Sequence, residues 1–200
     1  IVAMVNKMFQ PYLASRFILS GFESEGVLFV HEASRFLHLL QLVDLEMDPL
    51  RFQFVLGVGN LVTGLKTRPY GEPGEIKGPA VTAAKRAFKD LADGNRDVAV
   101  RFPSPFLTRI TNSLFAVESD LRNGWSATHR KTIKLARQGM TQVEMAKVLG
   151  ITQAAVSQRL KHARWDRYQQ ICAMLWELLS HVRWRTLLPW DLKQTLRKPE

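Results

Sequence analysis

Apolar residues in the first part of the chain alternate between the spacing of helices and the spacing of strands. Phe36, Leu39, Leu40 and Val43 recur at helical spacing, whereas the run DVAVRF alternates as a strand does. The predicted elements are a helix over residues 2–14, a hairpin of strands 16–21 and 25–30, a helix over 31–47, a strand over 51–63, a helix that starts at Pro79 and ends near Gly94, a strand over 97–102 and a helix over 105–123. This order predicts an α+β domain in which helices pack on a sheet.

Beyond Gly124 the strand patterns stop, and every segment has helical spacing or the residues typical of turns. We therefore predict a boundary near residues 123–125, with an α+β domain over 1–124 and an all-α domain over 125–200. Helix caps and helix-ending glycines divide residues 126–165 into three helices. The residues with these roles are Ser126, Gly139, Thr141, Glu144, Gly150 and Thr152. The second helix is expected over 142–149, and the turn to the third over 150–152.

The second and third of these helices have the packing residues of a helix-turn-helix. Ala146 is small enough for a close helix crossing, Gly150 accepts a positive φ, and Val156 fixes the crossing. The residues expected to close the small core are Val143, Leu149, Ile151 and Leu160, covered by Ile133 and Ala136. The string EMAKVLGITQAAVSQRL resembles the helix-turn-helix of sigma-factor region 4 and of response-regulator output domains. The resemblance implies a DNA-binding domain whose third helix, over 153–165, enters the major groove.

One side of the third helix would face DNA, because Val156, Leu160 and Ala163 face inward. The groove-facing residues are Gln153, Ala154, Ser157, Gln158 and Lys161. Glutamine suits an adenine edge, serine either base type, the alanine methyl a thymine methyl, and lysine a guanine or a phosphate. The residues expected to contact phosphates are Thr141, Gln142, Thr152, Arg159 and Arg164. The expected partner is double-stranded DNA, and the expected role is transcription regulation.

Charge is divided unevenly between the two halves of the chain. Residues 1–124 carry 14 Lys and Arg against 13 Asp and Glu, whereas residues 125–200 carry 14 against 5. The second half therefore has a net charge of +9. This charge favours a polyanionic partner, because each cation placed on a phosphate releases a counterion. Two alternatives are a basic face that is only solvated and basic helices that dock on an acidic protein.

Other residue types narrow the class of protein. Cys172 is the one cysteine, so an intramolecular disulfide and a multi-cysteine metal site are excluded, and a buried, inert thiol is expected. His129, His162 and His181 are scattered, so the sequence predicts no metal site and no cofactor. No apolar run is long enough for a membrane span and no secretory signal begins the sequence, so a cytoplasmic protein is expected.

An amphipathic C-terminal helix follows the three helices. Ile171, Leu175, Leu178, Leu179 and Val182 form one apolar stripe, which must be buried against another surface. That surface can be the first domain or the helix-turn-helix. It can also be a second copy of the chain, in a homodimer that reads two DNA half-sites. The sequence leaves these alternatives open.

Three segments within residues 16–87 carry a resemblance to a known family. They read FILSGFESEGVLF, RFQFVLGVGNLVT and KGPAVTAAKRA. They resemble a hairpin, a strand and a helix start of the SatD-like family of bacterial proteins, whose N-terminal part is similar to nucleotidyl cyclases and diguanylate cyclases. The resemblance implies a ferredoxin-like, nucleotidyl-cyclase-like sheet with helices. Cyclases of that fold hold metal ions with one acid on the first strand and one at the hairpin.

The acids that such cyclases need are not found in the sequence. Phe22 stands where the hairpin Asp would be, Glu23 alone cannot hold two Mg²⁺, and the first strand with its acid is absent. The resemblance therefore implies a degenerate domain, not an enzyme, that serves sensing, assembly or homodimerisation. Gly57 and Gly59 favour a strand bend over a phosphate loop. The alternative function is a nucleotide-binding or cyclase-type enzyme that is localised by its helix-turn-helix.

Overall fold

The structure is a computed structural model that describes residues 2–20, 23–28, 33–48, 50, 52–60, 62, 76–92 and 97–181. It is an α+β arrangement dominated by helices. The elements are α1 (Val2–Phe9), β1 (Leu13–Ser20), β2 (Glu23–Leu28), α2 (Arg35–Glu46), β3 (Phe54–Gly57), α3 (Pro79–Ala92), β4 (Val98–Arg101), α4 (Pro105–Asn123), α5 (Ala127–Arg137), α6 (Gln142–Leu149), α7 (Gln153–His162) and α8 (Trp165–His181). The predicted order of helices and strands is confirmed.

The strands form two pairs. β1 and β2 are an antiparallel hairpin, whereas β3 and β4 run parallel with α3 as the connection between them. The outer edge of β4 is occupied by a side chain of α4. Val100 N donates to Asn112 Oδ1 over 2.8 Å, and Asn112 Nδ2 donates to Val100 O over 3.0 Å. The side-chain amide of Asn112 thus forms the hydrogen bonds with the β4 backbone that a further strand would otherwise form.

The first helix is shorter than predicted. α1 ends at Phe9, a 3₁₀ turn follows over Gln10–Tyr12, and β1 begins at Leu13. The prediction of a helix to residue 14 is therefore wrong. Pro11 explains the difference, because proline has no backbone N–H to continue the helical hydrogen bonds and its ring disfavours the α conformation of the residue before it.

Gly57 is where α3 comes closest to β3. A Cβ on Gly57 would lie 2.2 Å from the carbonyl oxygen of Ala80 and 2.3 Å from the amide nitrogen of Ala84. The predicted strand over 51–63 is only four residues long and ends at this glycine. Close approach of the α3 backbone therefore accounts for Gly57, and a strand bend is not needed to explain it.

The main core lies between the β3–β4 pair and the helices α2, α4 and α8. Leu175 and Leu179 of α8 are fully buried there together with Leu40, Val100 and Phe115. α3 covers the opposite face of the same strand pair. Part of the predicted apolar stripe of α8 thus packs within the chain on the first half, whereas Val182 lies outside the described residues. A homodimer through α8 or through the N-terminal domain stays a prediction.

Helices α5, α6 and α7, here called the three-helix unit, close a second small core. Met145, Ala146 and Val156 are buried in it, and Leu149 packs against them. The prediction that Val143 closes this core is wrong, because its side chain is 49% exposed. Helical geometry gives the reason. Val143 lies roughly a third of a turn around α6 from the mean direction of the inward-facing residues.

Candidate nucleic-acid interface

The starts of α6 and α7 are fixed by local hydrogen bonds. Thr141 Oγ1 accepts from the Glu144 amide over 3.3 Å, and Glu144 Oε2 accepts from the Thr141 amide over 2.7 Å. These bonds from Thr141 lower the pKa of Glu144. Gly150 ends α6 in the left-handed conformation with φ 64°, and Thr152 Oγ1 then accepts from the Ala155 amide over 3.1 Å. The capping box, the turn glycine and the second cap are confirmed.

One side of α7 carries all five predicted groove-facing residues. Val156 is fully buried on the opposite side of the helix. The exposed residues are Gln153, Ala154, Ser157, Gln158 and Lys161. His162 is exposed as well and follows Gln158 by four positions, which places it on the same side of the helix. The predicted set of exposed residues leaves out His162, although its spacing from Gln158 was the available signal.

The predicted phosphate contacts surround this side of α7 with different degrees of exposure. Thr152 and Arg164 are exposed, whereas Gln142 and Arg159 are partly buried. Thr141 is exposed, but it donates both its backbone amide and its hydroxyl to the Glu144 carboxylate, over 2.7 and 2.8 Å. A phosphate contact by Thr141 would therefore require the loss of one of these bonds.

Arg164 has an unusual backbone conformation. Among the described residues it is the one non-glycine residue with a positive φ, at 52°. Its amide donates to Lys161 O and its carbonyl accepts from Tyr168 N, both over 3.0 Å, so it links the end of α7 to the start of α8. The left-handed conformation costs an L-residue about 1–2 kcal/mol. An exposed arginine is thus kept at a position where glycine would be less strained.

Two cations of α5 form ion pairs with acids in α2 and just after its end. Arg130 forms ion pairs with Asp44 over 3.1 Å and with Asp48 over 3.3 Å. Lys134 forms an ion pair with Glu46 over 2.9 Å. Both cations are paired with acids of the same chain, Arg130 in a buried site and Lys134 at the surface. The +9 charge of the second half therefore overstates the positive surface that is available to a polyanion.

Behind α5 lies a cluster of buried charges. Arg122 Nη1 donates to Asp44 Oδ1 over 2.7 Å, and Arg122 Nε donates to Glu118 Oε1 over 3.2 Å. Burial raises the pKa of Glu118, although the positive charge of Arg122 opposes this. Because Asp44 also binds Arg130, its carboxylate joins α2 to both α4 and α5. Sequence reasoning did not find this cluster, since charged residues are usually exposed.

Arg137 at the end of α5 is also held inside the chain. Its guanidinium lies 5.8 Å from the ring centre of Trp125, 6.0 Å from that of Trp165 and 5.2 Å from that of Tyr168. It donates to the backbone oxygen of Gln41 over 3.2 Å and also to the Tyr168 hydroxyl. Arg137 therefore connects α5 to α2 and α8 and is not part of the exposed basic surface.

A family model described as the SatD family matches residues 1–175, which is more than half of the chain. The chain belongs to the SatD family. In this SatD-family protein the matched region includes the strands, the three-helix unit and most of α8. The predicted resemblance of the first half is thereby confirmed at the level of the family. No curated protein and no solved structure matches the SatD-family chain.

The structure also bears on membrane and metal sites of this SatD-family protein. Within the described ranges, no helix is long and apolar enough to cross a membrane. No group of three His, Cys, Asp or Glu side chains is placed to hold a metal ion in that same part of the chain. Phe22 and the side chain of Glu23, on which the cyclase comparison depends, lie outside the described residues.

Proposed function

We propose that the chain is a DNA-binding transcription regulator, in which α6 and α7 form a helix-turn-helix and α7 enters the major groove. The exposed side of α7 is the observation that carries the proposal. It presents two glutamines, a serine, an alanine and a lysine, with no acidic residue anywhere on the helix. Because this face has no negative charge, it does not repel phosphates, and each of its residue types has a known partner on base edges.

Base reading would fall to the exposed residues of α7. Gln153 in the first turn and Gln158 in the middle can each form two hydrogen bonds with an adenine edge. The methyl group of Ala154 suits a thymine methyl, and Ser157 can bond to either base type. Lys161 near the end of the helix can reach a guanine or a phosphate. We expect the two glutamines to set sequence preference.

Phosphate contacts would hold α7 in register. Gln142 and Thr152 lie at the starts of α6 and α7, where backbone amides and the helix dipole favour an anion. Arg159 and Arg164 lie at the other end of α7 and supply charge. These contacts would raise affinity for every sequence alike. Thr141 would contribute less, because its donors are occupied by Glu144.

The first half, over 1–124, would serve sensing or assembly and would control how the domain over 125–200 presents α7. The proposed sheet of this half is ferredoxin-like, in the manner of nucleotidyl cyclases. The ion pairs of Arg130 and Lys134 with α2 support a mechanical connection between the two halves of the chain. A shift of α2 must either move α5 with it or break these ion pairs. A homodimer that reads two half-sites would suit this function.

Selection of bound duplexes from a random pool, followed by fluorescence anisotropy on the selected duplex, tests the proposal. We expect Gln158→Ala to weaken binding to the selected duplex by about 1–3 kcal/mol and to relax specificity at one position. Arg164→Ala should weaken binding to all sequences equally. Gln170→Ala, at an exposed position of α8, is the matched control and should bind as the wild type does. Absence of any salt-dependent binding to duplex DNA would reject the proposal.

A further inference from the structure

The start of α5 meets the end of α7. The indole nitrogen Nε1 of Trp125, two residues before α5, donates to the carbonyl oxygen of Ala163 over 2.9 Å. His129 lies in the first turn of α5, and Arg159 and His162 lie in the last turns of α7. This contact places the first turn of α5, which carries His129, beside the last turns of α7, which carry Arg159 and His162.

His129 lies close enough to the basic side chains of His162 and Arg159 to be affected by their charges. Partial burial lowers the pKa of His129, and the nearby His162 and Arg159 lower it further. The charged groups that face His129 are thus both on α7 and have the same sign. Positive charge near His129 disfavours its protonated form, and an anion bound among these side chains would favour it.

Nothing in the described part of the chain neutralises this cluster. No carboxylate forms an ion pair with His129, Arg159 or His162 there, and no aromatic ring lies under Arg159. The other basic residues near α5 differ in this respect. Arg130 is bound by two carboxylates, and Arg137 is surrounded by aromatic rings.

Hydrogen bonding sets the orientation of the His129 ring. Its Nδ1 accepts from the backbone amide of Ser126 over 3.4 Å, as part of the capping box at the start of α5. This bond assigns the neutral tautomer with the proton on Nε2, so Nε2 remains as the donor for a ligand. The neutral His129 ring can therefore donate to an anion through Nε2 while Nδ1 still accepts from Ser126. Proton uptake by this ring places the second proton on Nδ1 and breaks that bond, so a bound phosphate must also offset the lost cap bond.

We propose that His129, Arg159 and His162 form a phosphate-binding site that couples phosphate binding to proton uptake. The inference rests on the proposed function, since the phosphate in question would be one of the DNA backbone. The guanidinium donates to the phosphate oxygens, and the two imidazoles add donors from either side. Because the phosphate favours the imidazolium over the neutral ring, the affinity rises as the pH falls through the histidine range.

A titration of the histidine ring protons by NMR tests the site without DNA. The full chain is titrated in inorganic phosphate and, at equal ionic strength, in chloride, with signals assigned from His129→Gln and His162→Gln. We expect phosphate to move the His129 and His162 midpoints to higher pH. His38, whose ring centre lies 4.7 Å from that of Trp176, is the internal reference. A shift of the His38 midpoint as large as theirs would show a non-specific effect of phosphate and would also overturn the proposal. Equal midpoints in phosphate and chloride would overturn the proposal.

A second experiment asks whether the phosphate belongs to DNA. In anisotropy at fixed salt, Arg159→Gln and His162→Gln should each weaken duplex binding about tenfold. Each should reduce the salt slope by about 1 and abolish most of the rise in affinity at low pH. His162 is exposed, so His162→Gln keeps the test valid if Arg159→Gln does not fold. Gln170→Ala again serves as the control.

The two experiments separate the inference from the proposed function. If phosphate shifts the histidine midpoints but duplex DNA does not bind, the site stands and the proposed function fails. If duplex DNA binds with the same pH dependence in the wild type and both variants, and phosphate shifts no midpoint, the proposed function stands and the site does not exist.

Discussion

Replacement of Arg164 by glycine should improve the stability of the fold and impair its binding to DNA. Arg164 has φ 52° in the left-handed region, which costs an L-residue about 1–2 kcal/mol. Glycine adopts this conformation freely but loses roughly 0.5–1 kcal/mol more backbone entropy on folding. The difference predicts that Arg164→Gly raises the free energy of unfolding by roughly 0.5–1 kcal/mol. The backbone bonds to Lys161 and from Tyr168 are available to glycine as well.

The same substitution removes a cation at the end of α7. Under the proposed function, the variant loses one phosphate contact on every sequence, and the slope of log affinity against log salt should fall by about 1. Urea unfolding gives the stability, and anisotropy with selected and random duplexes gives the affinity and its salt dependence. Specificity, measured as the ratio of the two affinities, should not change.

Two further variants separate strain from charge at this position. Arg164→Lys keeps the positive charge and the strained backbone, so its stability and DNA affinity should stay close to those of the wild type. Arg164→Asn loses the charge but tolerates the left-handed conformation, so it should resemble the glycine variant in DNA binding. If Arg164→Gly unfolds at a lower urea concentration than the wild type, the account of backbone strain is refuted. A glycine variant with unchanged salt slope would refute the phosphate contact.

Two other substitutions and the chemistry of Cys172 test further parts of the structure. Gly57→Ala should destabilise the fold by about 1–3 kcal/mol or more, because its Cβ would lie 2.2 Å from the carbonyl oxygen of Ala80; a neutral effect on urea unfolding would contradict this packing. Asp44→Ala should cost about 3–5 kcal/mol, since two buried arginines lose their shared carboxylate; a loss below about 1 kcal/mol would show that solvent reaches them. Burial raises the pKa of Cys172 from 9.0 to about 11, so the native thiol should react slowly with iodoacetamide at neutral pH and quickly in denaturant. Because the folded pKa is the higher one, the thiol's contribution to stability should be present below pH 9 and disappear toward pH 11.

The sequence predicted features whose cause lies within a few residues. The capping box needs only Thr141 and the side chain three positions later, and Gly150 needs only its own freedom of φ. The exposed side of α7 could also be predicted locally, because a buried Val156 determines which residues of the helix face outward. These signals do not depend on the rest of the fold, and the structure agrees with each of them.

Features that depend on distant residues could not be predicted from the sequence. Arg122 binds Asp44 from 78 positions away, and no local pattern indicates that either charge is buried. The role of Gly57 depends on where α3 packs, and α3 begins more than 20 positions later. The helix-turn-helix pattern predicts Val143 in the small core, although the rotation of α6 points it outward. Tertiary packing decided these three cases.

Because Leu175 and Leu179 are buried beneath the strand pair, we expect α7, the proposed DNA-reading helix, to depend on the first half of the chain for its folding. A fragment that begins at residue 125 would expose these two leucines to water and would leave Arg130 without its two carboxylate partners. We expect such a fragment to lose its helical signal in circular dichroism, or to aggregate, before it contacts a duplex. Amide exchange should report one cooperative opening shared by β4, α4 and α8 in place of separate openings of two halves. A recombinant transfer of α7 to another protein would therefore have to carry the strand-containing half with it.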